Sequence, residues 1–131
     1  MRNQAREAAL SILFSEQFGE ECTDAFKEKV FKNFDLNKVE DLAFAKSLVE
    51  TVKEHEDELK QKIDESCHHY HVDRINRMDK TILMIALAEI TYFDEIPGVV
   101  SVSEAAGLAR KYSTETSADF VNGVLAGVIN K

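Results

Sequence analysis

The chain is poor in the residues that punctuate or staple a fold. Its 131 residues include two cysteines, one proline, five glycines and no tryptophan. Cys22 and Cys67 are too few for a secreted disulfide framework. So little Pro and Gly argues against turn-rich β-sandwiches and collagen-like repeats, which need both often. The longest mostly apolar stretch, Ile82 to Ala88, falls far short of the ~20 residues that span a bilayer. The opening MRNQAREAAL has no apolar segment behind a basic start, so no secretory leader is expected, and a reducing cytoplasm is the expected setting. Base is scarce beside acid: 16 Lys and Arg against 24 Asp and Glu, a net charge of −8. That balance argues against a free-standing nucleic-acid binder, which normally carries a basic footprint.

What remains is a globular composition, 44% apolar and 31% charged, at a length that suits one domain. The acidity is local. Residues 19–73 carry eight lysines against fifteen acids, whereas residues 1–18 and 97–131 are each neutral. The run around Glu54, Glu56, Asp57 and Glu58 reads as a solvated helix face. A polyanion could therefore approach the two ends of the chain without crossing the acidic middle.

Helical periodicity runs throughout. Ala5, Ala8, Ala9, Ile12 and Leu13 form one stripe of a first helix over about 3–18. Leu10, Phe14 and Phe18 form a second stripe on it, which means burial on two sides or a side kept for a partner. Further helices are expected over about 22–34, 38–55, 56–69 and 76–94, with no Gly or Pro to mark the third boundary. The helix over 76–94 is apolar most of the way round, the pattern of a central helix packed on several sides. After Pro97-Gly98, Ser101 with Glu104 and Thr116 with Asp119 fit capping boxes that would open two last helices. No segment shows strand alternation. The reading is an all-α, compact single domain of about seven helices.

No phosphate-cradling glycine loop, dinucleotide fingerprint or nucleophile elbow is present, and nothing in the sequence pairs two carboxylates in a pocket. One cluster, Cys67-His68-His69-Tyr70-His71, could offer soft ligands at i, i+4. Its competing reading is a polar helix end favoured by the helix dipole, and no metal site is expected.

The last third of the chain carries a resemblance. Phe120-Val121-Asn122-Gly123-Val124-Leu125 resembles the FVNGVL signature of the NusB family of transcription antitermination factors. Ser103 to Tyr112 resembles that family's NEAVELAKKY segment. Asp73-Arg74-Ile75 and Met78 to Ile90 are similar to its DRL…VDRAIL..A.YEL stretch, and Ala5 to Phe14 to its ARELALQALY opening. The likeness runs in order along the whole chain. It implies a single NusB-like domain over 1–131, made of an N-terminal helical subdomain of about 1–70 and a C-terminal one of about 71–131. It also implies a partner, the ribosomal small-subunit protein NusE, and a ligand, the single-stranded boxA element of nascent RNA. The implied role is read-through by the RNA polymerase antitermination complex, notably in ribosomal RNA operons.

By the same resemblance, Arg2, Arg6, Arg110, Lys111 and Tyr112 are the RNA-binding candidates. Two cations beside an aromatic ring suit splayed bases and their phosphates. Tyr112 could instead be core packing at a helix end. Phe14, Asp73 and Asp79 match positions that face NusE, although both acids could simply cap a helix start. The chain also departs from the family. Asn3 and Gln4 stand where relatives often have Arg, Met84 replaces an Arg, Ser103 an Asn, and Tyr70 a common Trp. Fewer phosphate contacts mean weaker RNA affinity and a shallower salt dependence, so a basic partner is expected to matter. The alternative is a NusB-like protein-interaction module with little RNA affinity. Relatives occur as monomers and homodimers, so a second copy is another candidate for the Phe14 stripe.

Overall fold

A computed structural model describes residues 2–17, 19, 22–67 and 75–130. Seven α-helices account for the described regular structure: α1 (Arg2–Glu16), α2 (Asp24–Asn33), α3 (Val39–Glu54), α4 (Glu56–Ser66), α5 (Arg77–Tyr92), α6 (Gly98–Tyr112) and α7 (Glu115–Ile129). No strand occurs among the described residues. The all-α reading therefore holds.

Helix α5 is the hub. It packs against α1, α3, α4, α6 and α7, and every residue from Thr81 to Glu89 is buried. Its Ile82, Leu83, Met84, Ile85 and Leu87 are among the largest fully buried side chains of the molecule, beside Ile12, Leu48, Leu59, Ile63 and Leu125. A helix buried all round cannot alternate apolar and polar faces, which explains the near-continuous apolar run in this stretch.

Three helix starts are capped by side chains. Thr23, Asn76 and Thr114 each accept a hydrogen bond from an amide three residues on, those of Phe26, Asp79 and Ser117. Two expected starts are corrected. Helix α6 opens at Pro97, not Ser101, because proline's fixed φ suits a helix entry. Helix α7 opens at Thr114, not Thr116. The unmarked boundary between α3 and α4 falls at His55, which ends one helix and begins the next, its ring stacked on Tyr92 at 4.1 Å between centroids. Between α2 and α3, Asp35 takes a left-handed conformation at φ 58°, which a short polar side chain tolerates.

One polar contact ties the hub to its neighbours. Arg6 on α1 donates from Nε and Nη2 to the two carboxylate oxygens of Glu89 on α5, both at 2.7 Å. Ser101 on α6 donates to the same carboxylate at 3.1 Å. All three residues are buried, at 3%, 1% and 1% exposure. Three helices thus meet at one charge. Arg6, an RNA-binding candidate by the family resemblance, thus has its charge neutralised inside the fold by Glu89. Ser101 has no capping role for the same reason, since its hydroxyl is turned to Glu89.

Removing one member of a buried pair strands the other charge, which typically costs about 3–5 kcal/mol. Glu89→Gln is expected to lower the urea unfolding free energy by roughly that amount. The apolar pair Arg6→Met with Glu89→Leu is expected to recover most of the loss, because it strands no charge. A Glu89→Gln loss below about 1 kcal/mol would contradict this role.

Candidate functional site

Phe14, Lys111 and Tyr112 gather where α1 passes the end of α6. On α1, Glu7, Leu10, Ser11, Phe14 and Ser15 line one side of a groove of about 180 Å³. Phe34 at the end of α2, Met78 in the first turn of α5 and Tyr112 at the last turn of α6 complete it. Four elements supply the walls, three of them through helix ends. Phe14 is half-buried there. The second stripe of the first helix therefore lines this groove at Leu10 and Phe14, while Phe18 lies outside the described residues.

Glu7 organises the α6 side. Its Oε1 accepts the Tyr112 hydroxyl at 2.8 Å and also the Lys111 ammonium. The Glu7 side chain is only 12% exposed, whereas that of Lys111 is 62% exposed. Lys111 also lies over the Tyr112 ring, 5.4 Å from its centroid, a cation–π distance. The Tyr112 phenol is pushed up, first by burial and then by its hydrogen bond to Glu7. The Lys111 ammonium is raised too, chiefly by its hydrogen bond to Glu7. Arg110 is exposed and pairs with Glu115 at 3.1 Å across the turn into α7. Each residue of Arg110-Lys111-Tyr112 thus meets an acid.

Arg2 meets different neighbours. It is exposed and stands over the Phe44 ring at 4.6 Å, with the Arg6 guanidinium 5.4 Å from the same ring. Asn3, Pro97, Val100 and Glu104 share its hollow. Arg2 and Glu7 are five residues apart, about 140° round the helix axis. The cations of the opening motif and those of α6 therefore meet α1 on different flanks rather than forming one cluster.

Asp79 lies in the first turn of α5 and is 5% exposed. Its Oδ2 accepts from Ser117 at 2.8 Å and from Asn76 at 3.2 Å, which joins the starts of α5 and α7. Its Oδ1 is buried with no hydrogen bond among the described residues. Asp73 lies outside the described residues, as do His68, His69, Tyr70 and His71. Cys67 is buried, and its thiol is raised by burial and by Asp64. Among the described residues no three His, Cys, Asp or Glu side chains come together as a metal site. No described helix is long and apolar enough to cross a membrane. Met84, where relatives carry Arg, is 1% exposed and belongs to the core.

Sequence reasoning missed Glu7, Phe34 and Met78 as parts of this site. The signal for Glu7 was its spacing: Glu7, Ser11 and Phe14 follow i, i+4, i+7 on one face of α1. Phe34 and Met78 carried no such signal, because both also suit core stripes.

The pKa directions set a pH window. A phenol and an ammonium that are both raised on folding contribute stability that is intact below their ordinary values near 10 and is lost as pH rises through the folded values. In a Tyr70→Phe, Tyr92→Phe background the remaining phenol, Tyr112, is expected to titrate by ultraviolet absorbance above about 10. A midpoint at or below that value would contradict the contact with Glu7.

Comparison with known proteins identifies the family and the fold. The chain matches the NusB family over residues 3–130. It is 39% identical to the transcription antitermination protein NusB of Oceanobacillus iheyensis, covering 98% of each chain. It is 32% identical to that of Finegoldia magna, covering 99% of this chain and 94% of the relative. Among solved structures, the crystal structure of the antitermination factors NusB and NusE in complex with dsRNA superposes with a TM-score of 0.85 at 24% identity, over 98% of this chain and 96% of the other. The solution structure of NusB from Aquifex aeolicus gives 0.76 at 26% identity, over 99% and 89%. With seven helices in the same arrangement and relatives matched along almost their whole length, this chain belongs to the NusB family of transcription antitermination proteins.

Proposed function

We propose that this chain is a non-catalytic adaptor that binds boxA-type single-stranded RNA together with NusE. In this reading it acts on nascent transcripts, those of ribosomal RNA operons above all, and joins the RNA polymerase antitermination complex. The observation that carries the reading is the meeting of Tyr112 and Lys111 with the Phe14 groove at Glu7. A surface for an apolar partner and a surface for a polyanion are contiguous there. A structure of the same fold, that of NusB and NusE in complex with dsRNA, supports NusE and RNA as the kinds of ligand.

On this reading Phe14 contacts NusE, and Lys111, Tyr112, Arg110 and Arg2 contact RNA. Single-stranded bases stack on an exposed ring while phosphates pair with cations. Tyr112 is 37% exposed, enough to offer an edge or face. Arg6 is left out, because it is buried and Glu89 takes the Nε and Nη2 edge of its fork. With −8 overall, the chain alone repels a polyanion, so a basic partner supplies much of the attraction.

The second reading, a protein-interaction module with little RNA affinity, is favoured by one observation: Arg110 and Lys111 both already have acidic partners. Fluorescence anisotropy separates the two. Labelled boxA RNA and a scrambled control are titrated with and without NusE at two salt concentrations. The adaptor reading predicts selective binding that tightens with NusE and weakens roughly threefold to tenfold in Arg110→Ala or Lys111→Ala. Those losses apply equally to all RNA sequences, because they remove phosphate contacts. No selective binding even with NusE present would sink the RNA role and leave the module.

A further inference from the structure

We infer that Glu7 is an internal competitor for RNA: in the free protein it occupies the Lys111 ammonium and the Tyr112 hydroxyl that a phosphate would otherwise take, and occupation of the Phe14 groove by the protein partner releases them. The inference rests on the RNA-binding reading above and assigns the positioning residue that links its two surfaces.

The geometry carries the argument. A single carboxylate oxygen, Glu7 Oε1, accepts from both groups. Those groups belong to the last turn of α6, while Glu7 belongs to α1, 104 and 105 residues away in sequence. Glu7 is also part of the groove wall, in the same stripe of α1 as Ser11 and Phe14. Tyr112 closes the opposite wall. A partner side chain seated in this groove lies against both Glu7 and Tyr112. In our inference that contact draws Glu7 away from Lys111 and opens the ammonium to a phosphate.

The strength of the contact suits a switch. The Lys111 side chain is mostly in solvent, and exposed pairs of this kind are weak and screened by salt. A phosphate that brings two or more donors together can outcompete one carboxylate. The carboxylate also repels an approaching polyanion for as long as it stays beside Lys111. Partner and RNA then favour the same rearranged state, so each tightens the other by the same factor.

The test is the anisotropy titration applied to Glu7→Gln, which keeps the shape and the acceptor but removes the charge. Without NusE, the variant is expected to bind boxA RNA roughly threefold to tenfold tighter than the parent. Its salt slope is expected to steepen by about 0.7, one single-strand phosphate contact. The factor by which NusE tightens RNA binding is expected to shrink correspondingly. Glu7→Asp, which keeps the charge but withdraws it by one methylene, gives a smaller gain. The gain vanishes when Glu7→Gln is compared in a Lys111→Ala background, since the released group is then missing. Asp57→Asn, on the exposed face of α4, removes the same charge elsewhere and leaves affinity unchanged.

Three results overturn the inference. If Glu7→Gln binds no tighter while the parent still binds boxA RNA selectively with NusE, Glu7 is not a competitor and the RNA role stands. If Asp57→Asn gives the same gain, bulk charge is the cause. If neither the parent nor the variant binds RNA with or without NusE, the RNA role and the inference fall together.

Discussion

Arg6 and Glu89 meet 83 residues apart in sequence, in a bidentate contact closed by Ser101. The rest of the site depends on that contact. It fixes the rotation of α1 about its own axis, because Arg6 has to face α5. With Arg6 inward, the next residue, Glu7, is turned by about 100° toward the end of α6. Phe14, one heptad further on, comes to lie nearly above Glu7. A buried ion pair adds little stability beside an apolar pair of the same volume. We read its role here as directional: an apolar seam would tolerate rotation of α1, whereas a fork on a carboxylate has one geometry.

The charge map then explains how an acidic protein can serve a polyanion. Seven of the eight net negative charges lie in residues 19–73, which supply α2, α3 and α4. The surface made by α1 and the end of α6 is close to neutral. The cations of the α6 end, Arg110 and Lys111, are paired locally with Glu115 and Glu7. On the proposed reading, such a surface binds RNA weakly on its own and selectively when a second protein changes the balance. On that reading, dependence on a partner follows from the same residues that form the groove.

The helices and the central place of α5 were legible in the sequence, because 3.6-residue periodicity and an all-round apolar run are local signals. The family likeness was legible through Phe120 to Leu125 and the segments before it. The fate of Arg6 was not. An arginine in a basic opening motif and an arginine that locks a core look identical until Glu89 is known to lie beside it. Ser101 misled in the same way: serine followed by glutamate three residues later fits a capping box, yet the hydroxyl answers a carboxylate on another helix. Asp79 could have been a cap or a contact, and Ser117, 38 residues on, decides its surroundings. Each of these contacts joins residues distant in sequence, which no local pattern encodes.

The most direct test of the account follows the backbone amide signals of the isotopically labelled chain as NusE and then boxA RNA are added. The account predicts that NusE shifts Leu10, Phe14, Phe34 and Met78 together with Lys111 and Tyr112, and that RNA then shifts the α6 end and Arg2 while leaving the exposed face of α4 still. Shifts from NusE or RNA centred on α4, or RNA shifts that ignore Lys111 and Tyr112, would contradict it.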